Sequence, residues 1–123
     1  MPTGGILIIG NEILSGKIAD TNSTYLCREL RALGVDVERI LTIPDDVDTI
    51  AEEVRKMSEA YDFVFTSGGI GPTHDDLTID GIAKAFRRSI ELSGSIAARI
   101  ERAQRQKPNE SQLKMARIPD GAQ

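Results

Sequence analysis

The sequence has no tryptophan, one cysteine and one histidine. One thiol cannot close an internal disulfide, so Cys27 fits a reducing compartment. It falls in a helical pattern and reads as a structural thiol rather than a nucleophile. His74 and Cys27 together cannot supply the several nitrogen and sulfur ligands of a zinc site. They also form no Ser-His-Asp or Cys-His arrangement. Aromatic residues are limited to Tyr25, Tyr61, Phe63, Phe65 and Phe86, so the core must be aliphatic. No apolar run approaches the length that crosses a bilayer. The N-terminus lacks the basic region and long apolar stretch of a secretion signal. A basic excess is missing too: 15 Lys and Arg face 19 Asp and Glu, for a net charge of −4. That balance argues against a nucleic-acid partner. It leaves phosphate ligands open, because backbone N–H groups bind anions without Lys or Arg. The expectation is one domain over residues 1–123, cytoplasmic, with no membrane contact.

What is present is a regular alternation. Ile6-Leu7-Ile8-Ile9 is a continuous apolar run ending at Gly10. Continuous apolarity predicts a strand covered on both faces, as in a parallel sheet. Asp20 to Leu33 predicts a helix with Leu26, Leu30 and Leu33 on one face and Gly34 closing it. Val35 to Ile43 predicts a second strand. From Val47 to Met57 apolar residues recur at helical spacing, with Asp45 or Asp46 as N-cap. Phe63 to Thr66 predicts a third strand. A helix follows from an N-cap at Thr78, burying Ile79, Ile82, Ala83 and Phe86. Another covers Ser93 to Gln106 with Ile96, Ile100 and Ala103 on its inner side, and Asn109 with Gln112 marks a last short one. The pattern is an α/β fold with an open, mostly parallel sheet.

In such sheets, ligands bind beyond the C-terminal ends of the strands. That rule selects Gly10 to Lys17, Pro44 to Asp46, and Ser67 to Thr78, the segments richest in glycine and carboxylates. The last, Thr66-Ser67-Gly68-Gly69-Ile70-Gly71-Pro72-Thr73-His74-Asp75-Asp76-Leu77-Thr78, is the strongest signal. Glycines after a buried strand allow close backbone approach to a ligand, and successive N–H groups cradle an anion. It is neither a Walker loop nor the dinucleotide fingerprint. Asp75 and Asp76 would repel a bare phosphate. They make sense if a hard cation such as Mg²⁺ bridges them to it. Asp80 serves the helix dipole instead. Candidate ligand-binding residues are Gly10, Asn11, Glu12, Ser15, Thr66, Ser67, Gly68, Gly69, Gly71, Pro72 and Thr78.

These segments, with Asp20-Thr21-Asn22 and Ile43-Pro44-Asp45-Asp46, resemble the MoaB/Mog-type molybdopterin-binding domain family over roughly residues 5 to 90. The likeness is greatest to the branch found in CinA proteins and in the molybdopterin-binding-like part of eukaryotic FAD synthase. The resemblance implies a three-layer sandwich with helices on both faces of the sheet, and a homo-oligomer, dimer or trimer. It implies a small pterin or nucleotide as ligand, molybdopterin among them. It also implies two catalytic aspartates, Asp45 and Asp76, and a divalent metal, Mg²⁺ or Co²⁺. Together with Asp75 of the acidic pair, these aspartates, Asp45 and Asp76, are the candidate metal ligands.

The chain departs from the adenylyltransferases of this family at Gly69-Ile70-Gly71, at His74-Asp75, and at Ile79, which replaces a proline. Those departures favour the branch associated with metal-dependent hydrolysis of nucleotide pyrophosphates such as ADP-ribose or FAD. Molybdopterin adenylylation and binding without turnover are the alternatives. Family members continue past a stretch like Pro119-Asp120-Gly121-Ala122 with a further ligand loop and strand, so the domain is expected to be a C-terminally shortened form.

Overall fold

The computed structural model describes residues 1–123. Its centre is β1 (Thr3–Ile9), paired in parallel with β2 (Asp36–Ile43) on one side and β3 (Phe63–Ser67) on the other. The sheet order is β2-β1-β3. Strand side chains alternate between faces, and β1 divides its apolar run accordingly. Ile6 and Ile8 pack with Leu30 and Val35, together with Leu26, Cys27 and Phe65, under α2 (Asn22–Ala32). Leu7 and Ile9 pack with Ile50, Ala51, Val54 and Met57 of α3 (Val47–Ala60) and Ala85 of α4 (Thr78–Ala85). Helices therefore cover both faces, and the architecture is a three-layer α/β sandwich. All four residues Ile6 to Ile9 are buried. Each such side chain stabilises the fold by about 2 kcal/mol through loss of apolar surface to water.

Asp46 caps α3, accepting from the Thr49 amide at 2.9 Å and its hydroxyl at 2.7 Å. Asn109 and Gln112 form the expected capping box on α6 (Glu110–Lys114), and Ser93 caps α5 (Gly94–Gln104). Other expectations need correction. Gly10 is followed by a short helix α1 (Asn11–Leu14), not an open loop. Leu33 is exposed because it is the C-cap residue of α2, turned off the buried face. Phe86 occupies the equivalent place on α4 and is 48% exposed. Ala103 also faces solvent. Thr78 is not the N-cap of α4 but its first residue; Leu77 stands at the cap with no side-chain bond. A two-stranded antiparallel ribbon, β4 (Ile90–Leu92) with β5 (Arg117–Pro119), brackets α5 and α6. Each strand is three residues long, too short for alternation to reveal it.

Candidate ligand site at the strand ends

Beyond the C-terminal ends of β1 and β3 lies a cleft of about 290 Å³. Ile8 and Ile9 form its floor, Ser67 and Gly68 one wall, and Glu12, Asp20 and Asn22 its polar rim. The start of α2 builds that rim. Asp20 accepts from the Ser23 amide at 3.1 Å and its hydroxyl at 2.5 Å, fixing the first turn. Asn22 Nδ2 then donates to Ser67 Oγ at 2.9 Å, tying α2 to the end of β3.

The glycine turn is shaped by its own chain. Gly68 has φ +96°, and a Cβ there would lie 2.1 Å from the Ile9 carbonyl oxygen. Thr78 is fully buried and its hydroxyl donates to the Gly68 carbonyl at 2.8 Å. The Thr78 amide donates to the Gly69 carbonyl at 3.0 Å. Thr78 thus holds the turn from beneath and offers no group to a ligand. The N–H groups of Gly68, Gly69 and Ile70 donate to nothing in the chain. Three successive free donors follow a strand end, the arrangement that receives an anion.

The acidic turn lies just beyond. Thr73 donates its amide to Asp76 Oδ2 at 2.9 Å, and its hydroxyl sits 2.6 Å from Asp76 Oδ2 and 2.5 Å from Asp75 Oδ1. Those bonds hold both carboxyls below their usual range. For Asp76 the Thr73 hydroxyl acts most strongly, with help from the Thr73 and Gly71 amides against a burial penalty. For Asp75 the same hydroxyl leads, followed by its own amide, while the charge of Asp76 opposes. One hydroxyl has one proton to give, so two ionised carboxylates compete for it. A cation would satisfy both.

Asp45 stands at the end of β2. Its Oδ2 accepts from the Asn11 amide at 3.2 Å, and its Oδ1 has no protein partner. Because β1 lies between β2 and β3, the strand ends carrying Asp45 and the glycine turn are about two strand spacings, roughly 10 Å, apart. No three His, Cys, Asp or Glu side chains converge to hold a metal ion. The expected cage of Asp45, Asp75 and Asp76 is therefore not formed, because the β1 loop separates the first from the other two. The Asp75–Asp76 pair does fit a divalent ion. Mg²⁺ takes one or two carboxylates, with water and phosphate oxygens filling the remaining positions.

The other residues singled out from sequence divide by position. Glu12, Ser67 and Gly68 line the cleft. Gly10 is buried under the Glu12 carboxylate, and Asn11 binds Asp45. Ser15 turns its hydroxyl to the Glu12 carbonyl. Thr66 points to the opposite face, into a separate cleft between β3, α3 and α4, because alternate strand residues face opposite ways. Gly71 lies against the Asp76 carboxylate, and Pro72 is exposed on the acidic turn. Ile18, Ala19, Asp20, Thr21 and Asn22 line the cleft without having been singled out as ligand contacts. Asp20-Thr21-Asn22 carried part of the family resemblance, and that was the available signal.

A family model described as a probable molybdopterin binding domain matches residues 5–118. A protein of Archaeoglobus fulgidus is 45% identical over 118 residues, covering 96% of this chain and 51% of its own. A probable FAD synthase of Caenorhabditis elegans is 49% identical over 100 residues, covering 81% of this chain and 19% of its own. The chain thus spans about half the length of the first relative and about a fifth of the second. Among solved structures, CinA from Thermoplasma acidophilum superposes with a TM-score of 0.92 at 33% identity, covering 99% of this chain and 73% of that one. The tungsten cofactor synthesizing protein MoaB from Pyrococcus furiosus shares the fold, with a TM-score of 0.65 at 21% identity over 84% of this chain and 64% of its own. The chain belongs to the molybdopterin-binding domain family and is of the type found in CinA proteins.

Proposed function

We propose that this domain binds the diphosphate of a nucleotide at the Gly68–Ile70 turn and hydrolyses it with a divalent metal, ADP-ribose and FAD being the preferred substrates. The observation that carries this is the run of three unpartnered N–H groups beside two ionised carboxylates. The turn supplies donors for phosphate oxygens. The cleft, with its Ile8–Ile9 floor and its Glu12, Asp20 and Asn22 rim, offers apolar surface and polar groups to the rest of the ligand. Asp75 and Asp76 would hold the metal, Mg²⁺ or Co²⁺. Bound there, it would neutralise charge on the phosphate undergoing attack. Asp45 keeps a free Oδ1 at the end of β2, one strand beyond β1, and would orient the attacking water. Water adds to one phosphorus, the bond to the bridging oxygen breaks, and two phosphate monoesters leave. The FAD synthase relative handles a nucleotide pyrophosphate by name, which supports the substrate class.

The second reading is binding of molybdopterin or a nucleotide without turnover. The separation of Asp45 from the Asp75–Asp76 pair favours it. One set of measurements tells them apart. The protein is incubated with ADP-ribose or FAD and Mg²⁺ or Co²⁺, and AMP is quantified for the wild type, Asp76→Ala and Asp45→Ala. An arm with ATP and molybdopterin, read by pyrophosphate release, covers adenylyl transfer. AMP release lost in both variants is the expected result. Saturable binding with no product from the wild type would leave the binding module, and no binding of any of these compounds would sink both readings.

A further inference from the structure

Between Ser89 and Asp120 the chain leaves the three-layer body and returns. The Asp120 amide donates to the Ser89 carbonyl at 2.7 Å, closing the excursion at its base, and the Ser93 amide meets the Ala116 carbonyl at 2.7 Å. The arm between, residues 93–117, is basic: Arg99, Arg102, Arg105, Lys107, Lys114 and Arg117 stand against Glu101 and Glu110. The whole protein carries −4, so the body beneath is strongly acidic. Two of the basic residues fasten the arm to the segment that follows the glycine turn. Arg117 pairs with Asp80 of α4 at 3.0 Å. Lys114 Nζ donates to the Thr73 carbonyl, 41 residues away in sequence.

Thr73 is the residue on which both acidic side chains hang. Its amide and hydroxyl face Asp76 and Asp75, and its carbonyl receives the Asp76 amide at 3.2 Å as well as Lys114. We propose that Lys114 is the positioning residue of the acidic turn, holding Thr73 so that Asp75 and Asp76 face a metal–phosphate ligand before it arrives. This rests on the assignment of that turn to a phosphate ligand. The physical basis is direct. Lys114 is half-buried, packing its stem on the protein while its ammonium reaches the Thr73 carbonyl. An ammonium-to-carbonyl bond is charge-assisted and about twice as strong as a neutral one. The ammonium also offsets the repulsion of two adjacent carboxylates, which would otherwise splay the turn open. Lys114 touches no expected ligand atom and acts through Thr73.

The test uses Lys114→Met, Lys114→Arg and Arg117→Met in the full chain. Amide hydrogen exchange across residues 71–78 is followed without ligand, and ADP-ribose affinity is measured calorimetrically with Mg²⁺. Loss of one charge-assisted bond is expected to speed exchange at the Asp76 amide and weaken ADP-ribose about tenfold. Lys114→Arg should restore most of both, and Arg117→Met should leave the Asp76 amide close to wild type. Unchanged exchange in Lys114→Met overturns the proposal. Weakened binding with unchanged exchange overturns it too, since Lys114 would then be a ligand contact. If the wild type binds no ADP-ribose yet exchange responds to Lys114→Met, the ligand assignment fails while the positioning of the turn stands.

Discussion

Asn11 and Asp45 exchange a pair of hydrogen bonds across the strand ends: the Asn11 amide donates to Asp45 Oδ2, and the Asp45 amide donates to Asn11 Oδ1, each at 3.2 Å. The pair locks the loop after β1 to the loop after β2. It uses one oxygen of Asp45 for structure and leaves the other free.

That division separates charge from architecture. Asp45→Asn keeps an acceptor for the Asn11 amide, so stability should change by less than about 1 kcal/mol in urea denaturation. If the free oxygen acts on water, the same variant should lose AMP formation. Asn11→Ala removes the acceptor for the Asp45 amide and should lower stability by about 1 kcal/mol. Full activity in Asp45→Asn would exclude the carboxylate from the chemistry.

The glycine turn yields a second contrast. Gly68 has φ +96° and its missing Cβ position is filled by the Ile9 carbonyl. Gly68→Ala must strain the backbone and push β1 and β3 apart, so a loss above about 2 kcal/mol is expected. Gly94, at the first turn of α5, has open space around it and no positive φ. Gly94→Ala should be neutral or stabilise by up to about 1 kcal/mol through helix propensity. Thermal or urea unfolding of the two variants checks both, and equal losses would contradict this account of the turn.

The layered fold was legible because burial imposes period. The unbroken Ile6–Ile9 run required cover on two faces, and α2 and α3 announced themselves by apolar spacing. Element ends were legible where capping chemistry is local, as at Asp46 and Asn109. That three loops would gather at the C-terminal edge of the parallel sheet followed from topology alone. What escaped depended on contacts distant in sequence. Nothing near Thr78 tells that its hydroxyl will turn under Gly68, and nothing near Asp45 tells that β1 will stand between it and Asp76. The link from Asn22 to Ser67 spans 45 residues, and the link from Lys114 to Thr73 nearly as many. Local pattern cannot specify such pairs.

At the opposite end of the sheet, Asp62 gives a pH dependence with a definite sign. Its Oδ2 accepts from the Thr3 amide at 2.8 Å and the Thr3 hydroxyl at 3.2 Å, joining the starts of β1 and β3. The Thr3 amide, then its hydroxyl, hold the Asp62 carboxyl below its ordinary 3.8. A depressed folded pKa contributes stability above the unfolded value, and that stability is lost as pH falls through the folded one. Asp62→Ala should therefore lower Tm at neutral pH, and the gap to wild type should narrow below about pH 4. A gap that stays constant into acid would show that the charge plays no part.

The rim of the cleft offers the sharpest separation of stability from binding, because two neighbouring residues do different work. Asp20 satisfies the amide and hydroxyl of Ser23, which is only 8% exposed. Asp20→Ala leaves a helix-start N–H and a buried hydroxyl without an acceptor, so unfolding free energy should fall by about 2 kcal/mol. Asn22 makes one exposed bond, to Ser67 Oγ beside the free N–H groups. Asn22→Ala should cost less than about 1 kcal/mol of stability. It frees the start of α2 from the end of β3, so the wall and rim of the cleft no longer hold a fixed spacing. Affinity for ADP-ribose should then drop several-fold with Tm nearly unchanged, read by calorimetry and thermal unfolding on the same samples. Wild-type affinity in Asn22→Ala would place the ligand outside this cleft, on the acidic turn alone.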